Sequence, residues 1–224
     1  TNSTNFGEII FQSIGGGTTK AGAPGTIYLA HTGHAPGCGT LIIDASNKVS
    51  GTAYPVTLLN SNVTDTVVGT VIITNKAILA IDTNQSLTVN GSWLRWTNTS
   101  FIAYSNSTVI FASTNDATVV GTNTFWNLTC TNSNKTMYFS AGSTNVVYGL
   151  LTLGGGATFK STQDSTWWYL TLTSGGSQQI ARVDVKDSNA SGGQQLLAGR
   201  GSINRANNVN WFFPKIPGTV FNIR

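Results

Sequence analysis

The fold of this chain is decided by four similar segments, FWNLTC (125–130), YGLLTLGGG (148–156), WYLTLTSGG (168–176) and IARVDVKDS (180–188). Each contains two apolar residues separated by one other residue, which is the alternation of a β-strand with one buried face. The apolar pairs are Leu128/Cys130, Leu151/Leu153, Leu170/Leu172 and Val183/Val185, and a similar pair, Leu87/Val89, lies about two intervals earlier. The intervals are irregular, but a unit of about twenty residues with three short strands and tight turns is the coil of a parallel β-helix.

The sequence therefore predicts an all-β protein that forms a single right-handed parallel β-helix, or β-solenoid. The handedness follows from the usual hand of parallel β connections. The alternative is an antiparallel β-sandwich, but Asn-Gly, a common hairpin turn, occurs only once, at Asn90–Gly91. Nine residues are predicted to face the lumen: Leu87, Val89, Leu128, Leu151, Leu153, Leu170, Leu172, Val183 and Val185.

The repeats are bounded by two segments that are unlike them. GGGTTKAGAPG (15–25) is rich in glycine, and PKIPGTVFNIR (214–224) carries two of the five prolines. Such segments are typical of linkers and extended tails. The predicted organisation is an N-terminal arm (1–21), a β-solenoid (22–213) and an extended C-terminal tail (214–224).

The surface of the protein is predicted to be polar but nearly uncharged. Charged residues are only 9% of the chain, and the net charge is +4. The twelve Lys and Arg residues are scattered, so no basic stripe for nucleic acid is expected. No apolar run approaches the roughly 18 residues of a membrane span, so no membrane insertion is expected. The abundance of Thr, Asn and Ser favours a secreted, extracellular protein at a cell surface.

These residues also resemble a known class of proteins. GAPGTIYLAHTG (22–33) and GTLIIDAS (39–46), followed by IARVDVKDSNASGG (180–193) and NRANNVNWFF (204–213), are similar to the repetitive stalk regions of large bacterial surface and secreted proteins. These are the autotransporter passengers and the filamentous-haemagglutinin-type exoproteins. The resemblance covers most of residues 22–213 and implies a β-solenoid that serves as a stalk, an adhesin or a surface filament. It implies no catalytic residue.

One loop contains candidate metal ligands. In HTGHAPGC (31–38), His31, His34 and Cys38 have side chains that bind zinc, but the nearest further ligand, Asp44, is separated from them by the strand TLIID (40–44). We therefore predict an ordinary polar loop, with no metal and no cofactor. Cys38 and Cys130 are expected to be about four coils apart, at ~4.8 Å per coil, which is too far for a disulfide.

The enzymatic alternative is a polysaccharide lyase or hydrolase. Arg182, Asp184 and Lys186 alternate along ARVDVKD (181–187), so they are expected to project from one outer face as a candidate cation and base. The closest acidic pair, Asp184 and Asp187, is expected on opposite faces of a continuous strand, which does not suit a paired-carboxylate hydrolase, although a turn at Lys186 could reorient Asp187. A solvated, salt-paired face is the simpler interpretation, and no catalytic residue is predicted.

The predicted function is that of a structural or adhesive surface component without catalytic activity, with a glycan-binding module or a polysaccharide lyase as alternatives. Trp167 and Trp168 are adjacent in a strand and must point to opposite faces, so at least one of them is expected outside the lumen. An exposed tryptophan is a stacking platform for sugars, which makes these two residues the candidate contacts for surface glycans; the alternative role is to cap the end of a coil.

The two ends of the chain predict self-association. Open terminal coils recruit other strands unless they are covered, and the sequence offers no capping helix at either end. Either terminal segment could add as a strand to another copy of the chain and produce a head-to-tail filament, or could fold back and cap its own coil. The candidate assembly residues are Phe6, Ile9, Ile10, Phe11, Val220, Phe221 and Ile223.

Overall fold

The computed structural model describes Ser13, residues 22–47 and residues 56–214. Every regular element in these residues is a β-strand, and none of them forms a helix that is long and apolar enough to cross a membrane. In chain order the strands are β1 (Thr26–Leu29), β2 (Thr40–Asp44), β3 (Thr57–Leu59), β4 (Val67–Val68), β5 (Val71–Thr74), β6 (Ile78–Ile81), β7 (Ser86–Val89), β8 (Trp93–Arg95), β9 (Ser100–Ala103), β10 (Thr108–Phe111), β11 (Ala117–Val120), β12 (Asn123–Phe125), β13 (Asn127–Cys130), β14 (Thr136–Phe139), β15 (Thr144–Val147), β16 (Leu150–Leu153), β17 (Thr158–Ser161), β18 (Trp168–Leu172), β19 (Ser177–Ile180), β20 (Asp184–Val185), β21 (Ser188–Asn189), β22 (Leu196–Leu197), β23 (Ile203–Asn204) and β24 (Trp211–Phe212).

From β2 to β22, three faces are built from every third strand, so that each coil contributes one strand to each face. The first face is β1-β2-β5-β8-β11-β14-β17-β20-β23. The second consists of β3-β6-β9 followed by β12-β15-β18-β21, with β9 next to β12. The third consists of β4-β7-β10-β13-β16-β19 followed by β22-β24, with β19 next to β22. Seven coils, from β2–β4 to β20–β22, are stacked in this way, and β23 and β24 belong to the next coil.

The predicted all-β solenoid is confirmed. Among the described strands every pair is parallel except β1 with β2, so the antiparallel sandwich is wrong. The nine residues predicted to face the lumen are all buried, with at most 3% of their surface exposed. They lie in columns that run from coil to coil, such as Val89, Phe111, Cys130, Leu153 and Ile180 on the third face.

Some of the repeated apolar pairs do not lie in neighbouring coils of one face. Leu128 pairs with Leu151, and Leu87 reaches Leu128 through Val109, so these intervals are one coil and two coils. Leu170 in β18 and Val185 in β20 lie instead on the second and first faces. The intervals from Leu151 to Leu170 and on to Val183 therefore lead from one face to another and do not measure the length of a coil. The pairs look alike in the sequence because every face has the same apolar alternation.

Asparagine closes many of the corners between faces. Asn84 and Asn106 have φ angles of 59° and 60°, in the left-handed region that asparagine tolerates better than most residues. They lie in successive coils, and the Asn106 Nδ2 atom donates a hydrogen bond to Asn84 Oδ1 at 3.2 Å. The turns of neighbouring coils are thus linked by their side chains as well as by their strands, which explains part of the asparagine content.

The lumen also contains a polar column. Trp93 Nε1 donates to Asn123 Oδ1 at 2.9 Å, and Asn123 Nδ2 donates to Asn145 Oδ1 at 3.1 Å. Both amides are buried, so each of these bonds compensates for polar groups removed from water. The column fixes the relative position of three successive coils.

The predicted terminal segments largely fall outside the described residues. This applies to residues 1–12 with Phe6, Ile9, Ile10 and Phe11, and to residues 215–224 with Val220, Phe221 and Ile223. Among the described residues the parallel strands begin at Thr40, and β1 pairs with β2 as an antiparallel strand at the N-terminal edge of the first face. The Tyr28 hydroxyl, which accepts a hydrogen bond from Gly39 N at 2.9 Å, connects the two strands of this hairpin.

We expect the lumen to dominate stability. Leu151→Ala removes a fully buried side chain and should lower the free energy of unfolding by about 2–5 kcal/mol. Thr152→Ala, the neighbouring outward residue of the same strand, should change it by less than about 0.5 kcal/mol. Urea unfolding followed by circular dichroism measures both variants. Equal effects at the two positions would contradict the inward and outward assignment.

Candidate functional site: an aromatic corner on the outside of the solenoid

Three aromatic residues form a row at the corner where the second face turns into the third. Tyr104, Trp126 and Tyr148 each follow directly after a strand of the second face, and they are evenly spaced along the sequence. Phe125 pairs with Val147, which places Trp126 beside Tyr148, with ring centroids 6.2 Å apart and ring planes at 38°. Because β9 lies next to β12, Tyr104 occupies the same corner one coil earlier. We call these three residues the aromatic corner.

The rings of the aromatic corner are accessible from solvent. Tyr104 is 44% exposed and Tyr148 is 49% exposed, whereas Trp126 is half-buried. The indole of Trp126 lies over Gly149, where an added Cβ atom would be 2.6 Å from Nε1. A side chain at position 149 would therefore displace the indole. Gly149 N also donates to Trp126 O at 2.7 Å, so the two residues are fixed to each other through the backbone.

Trp126 and Trp96 differ from the other four tryptophans in their hydrogen bonding. Four indole N–H groups donate to acceptors of the protein, those of Trp93, Trp167, Trp168 and Trp211. The indole N–H of Trp126 has no acceptor in the part of the chain that the structure describes. A half-buried indole usually finds a hydrogen-bond partner, so this donor is available to water or to a ligand.

The strands on both sides of the aromatic corner are polar and uncharged, and Asp82 occupies the same corner one coil before Tyr104. The six strands β9, β10, β12, β13, β15 and β16 contain no charged residue. Thr129 and Thr152 pair on the third face and point away from the lumen, and Thr124 does so on the second face. These hydroxyls both donate and accept hydrogen bonds. The corner thus combines ring faces with neutral hydrogen-bonding groups.

Of the two tryptophans that the sequence singled out, only Trp167 reaches the surface. Trp168 is fully buried, stacks on Phe139 with centroids 4.0 Å apart, and donates its indole N–H to Lys186 O. A buried ring cannot stack on a sugar, so Trp168 is removed from the predicted glycan contacts. Trp167 is 38% exposed, and its indole N–H is bound to Asn207 Oδ1 at 2.9 Å. Glycan contact by Trp167 stays a prediction.

The expected charged strand face is interrupted by backbone turns. Strand β20 covers only Asp184 and Val185, because Arg182 and Asp187 on either side have left-handed φ angles of 52° and 55°. The predicted single continuous strand through Arg182, Asp184 and Lys186 is therefore wrong, although Asp184 and Lys186 both point outward along the segment that pairs with β17. Asp187 is buried and accepts hydrogen bonds from Ser165 N and from Asn207 Nδ2. It organises a corner of the solenoid.

Two of the three candidate side chains, Asp184 and Lys186, are engaged with neighbouring coils, whereas Arg182 is exposed and has no side-chain partner among the described residues. The Asp184 carboxylate accepts two hydrogen bonds from Arg205 Nε, at 2.8 and 3.0 Å. Lys186 Nζ lies 2.8 Å from Asp164 Oδ1, and this hydrogen bond lowers the pKa of Asp164 and raises the pKa of Lys186. Both shifts favour the charged forms of the pair. Asp184 and Lys186 are thus salt-paired rather than held free as a base and a cation.

The histidine loop brings two of its three candidate ligands together. The rings of His31 and His34 have centroids 3.6 Å apart, and His31 Nδ1 accepts a hydrogen bond from Gly33 N at 3.0 Å. Within residues 22–47 and 56–214, no three His, Cys, Asp or Glu side chains are grouped so that they could hold a metal ion. His34 N donates to His31 O at 2.9 Å, so the two imidazoles belong to a local turn.

A buried lysine lies near the buried cysteine, which no sequence pattern indicated. Burial raises the pKa of the Cys130 thiol to about 11, although the positive charge of Lys135 acts in the opposite direction. Lys135 occupies a position that Ala157 and Val183 fill in the next coils, and its ammonium group donates to the backbone oxygen of Asn115. Burial lowers the pKa of Lys135. The ammonium group thereby links two successive coils at this corner.

The only sign of the aromatic corner in the sequence is the equal spacing of its three aromatic residues. Its members recur at the interval that separates Phe125 from its strand partner Val147, but tryptophan and tyrosine also occur at many unrelated positions. Comparisons with protein-family models, with curated proteins and with solved structures find no match to this chain, so its function has to be inferred from its own residues.

We expect the two cysteines to differ sharply in reactivity. Both are free thiols, with Cys38 half-buried and Cys130 buried in the lumen. Because the pKa of Cys130 is raised to about 11, almost none of it is thiolate at about pH 8, and its burial also blocks access. Titration with Ellman's reagent should modify Cys38 in the native protein and both residues in denaturant. Rapid modification of native Cys38→Ser protein would contradict this assignment.

Proposed function

We propose that this chain is a non-catalytic structural or adhesive component of a bacterial cell surface or of an extracellular filament. The observation that carries the proposal is the use of polar side chains as links between coils. Asp184 with Arg205, Lys186 with Asp164 and Asn84 with Asn106 each join one coil to another. Catalytic sites need titratable groups that are held free and face a common substrate atom.

The architecture and composition support the same proposal. A stack of coils that each bury their apolar residues against the next forms an extended, rigid rod, as in the stalk regions that this sequence resembles. The low charge and the Thr- and Asn-rich exterior are compatible with a secreted protein. The chain would then act outside the cell, either as a structural rod or as an adhesive surface.

Association of copies of the chain is part of this proposal. Leu197, Ile203 and Phe212, in the last coils, are large apolar residues that are 47 to 53% exposed. Exposed apolar groups of this kind mark interaction surfaces. The described strands of the first and last coils, such as β3 and β24, are paired on one side only. We propose that subunits join head to tail by strand addition, with the terminal segments 1–14 and 215–224 as the connecting strands.

Association is tested by light scattering over a range of protein concentrations, with electron microscopy of the same samples. The apparent mass of the intact chain should rise with concentration, and deletion of residues 215–224 or Phe212→Ser should reduce it. Trp96→Ser, which alters an equally exposed residue in the middle of the solenoid, is the matched control. An intact chain that stays monomeric at high concentration would refute head-to-tail assembly.

The absence of catalysis is tested with a panel of acidic and neutral polysaccharides, by measuring new reducing ends and unsaturated products. We expect no turnover by the purified chain. Turnover that is lost in Lys186→Ala or Arg182→Ala, and retained in Lys76→Ala, would identify a lyase and overturn the proposed function.

A further inference from the structure

We infer that the aromatic corner binds an extended neutral glycan that lies parallel to the solenoid axis. This inference rests on the proposed adhesive function and deepens it, because it names the site and the chemical class of its ligand. The observation behind this inference is a row of accessible rings, one in each of three successive coils. The middle ring, Trp126, also has an indole N–H donor without an acceptor among the described residues.

The spacing of the rings suits a polymer of pyranose units. Coils stack at ~4.8 Å, which places one ring of the aromatic corner in each layer, and the Trp126 and Tyr148 centroids are 6.2 Å apart. A pyranose ring has about the size of a phenol ring, and its C–H faces pack on aromatic faces. Successive sugars of an extended chain can therefore meet Tyr104, Trp126 and Tyr148 in turn.

The hydrogen-bonding groups beside the rings suit hydroxyl groups. Trp126 Nε1 is a donor without an acceptor among the described residues, and it lies at the centre of the row. The outward hydroxyls of Thr129 and Thr152 on the third face and of Thr124 on the second face provide donors and acceptors on both sides. Binding sites of this type combine a mostly apolar platform with a few fixed polar groups.

The electrostatics favour a neutral ligand over a polyanion. The strands that flank the aromatic corner carry no charged residue, whereas Lys160, Lys186 and Asp184 lie on or next to strands of the first face. A nucleic acid or an acidic polysaccharide would require clustered cations beside the rings. Such clusters are absent from β9, β10, β12, β13, β15 and β16.

Trp167 and Trp96 are less suitable platforms. The indole N–H of Trp167 is already bound to Asn207, so its donor is used within the protein. Trp96 is 49% exposed, but among the described aromatic residues no ring stacks against it. Trp96 is therefore the matched control for Trp126, since it is a tryptophan at a different corner of the same solenoid.

The experiment uses the intact chain and a panel of neutral hexasaccharides of the glucan, xylan, mannan and chitin types, with polygalacturonate and heparin as polyanionic probes. Affinity is measured by calorimetry, and intrinsic tryptophan fluorescence is followed in parallel. We expect at least one neutral hexasaccharide to bind. Trp126→Ala and Tyr148→Ala should each weaken binding by about tenfold or more, while Trp96→Ala should change it by less than about threefold.

A second variant separates ring stacking from hydrogen bonding. Trp126→Phe keeps a ring but has no N–H donor, so its affinity should lie between that of the intact chain and that of Trp126→Ala. The fluorescence change on glycan addition should disappear in both Trp126 variants. Circular dichroism and thermal unfolding establish that each variant is folded, and Tyr148→Ala alone tests the site if Trp126→Ala does not fold.

The inference is overturned if no neutral hexasaccharide of the panel binds, if only the polyanions bind, or if Trp126→Ala and Trp96→Ala have equal effects. Its failure is distinguishable from failure of the proposed function. A chain that forms filaments but binds no glycan would refute the aromatic corner alone. A chain that binds a neutral glycan through Trp126 and also cleaves it would refute the non-catalytic function while supporting the site.

Discussion

The constraint on which this structure depends is the in-register pairing of each coil with the next. A single coil cannot bury its own apolar face, so Val89 is covered only because Phe111 lies above it, and Phe111 only because Cys130 follows. In-register parallel pairing places equivalent residues in one column, and a shift by one residue would turn every lumen side chain to the outside. The lumen therefore favours an apolar residue at every second position of each strand, and the hydrogen-bonded Asn123 and Asn145 are polar exceptions.

The same constraint determines what polar side chains do. At the corners the chain must leave one face and enter the next, and asparagine with a left-handed backbone makes this change, as at Asn84 and Asn106. Once these residues are stacked, their amides bind one another across coils. The ion pair of Asp184 with Arg205 does the same on the first face. A chain with few charges can thus remain well connected, because most links between coils are neutral hydrogen bonds.

The sequence predicted the lumen better than it predicted the surface. Leu128, Leu151 and the other seven lumen residues could be assigned because alternation alone places them, whatever the coil length. The corners could not be assigned, because the coil length varies: the segment from Phe111 to its partner Cys130 is clearly shorter than the segment from Leu153 to its partner Ile180. For this reason apolar pairs on different faces resemble pairs in successive coils, and alternation alone does not reveal the left-handed backbone at Arg182. Alternation required Trp167 and Trp168 to lie on opposite sides but could not say which was inside.

Corners are also where the surface of a solenoid is free to vary, since their side chains are not required to fill the lumen. At the aromatic corner, however, the side chain of Trp126 constrains which residue can occupy position 149. The indole of Trp126 can occupy its position only because residue 149 is a glycine, although a glycine gives no side-chain contact of its own. If the row were only a means of joining coils, the indole N–H would be expected to find an acceptor in the protein, as it does in the four tryptophans with internal hydrogen bonds. A ring held in a fixed orientation, with its donor directed to no protein group among the described residues, has the properties of a recognition surface.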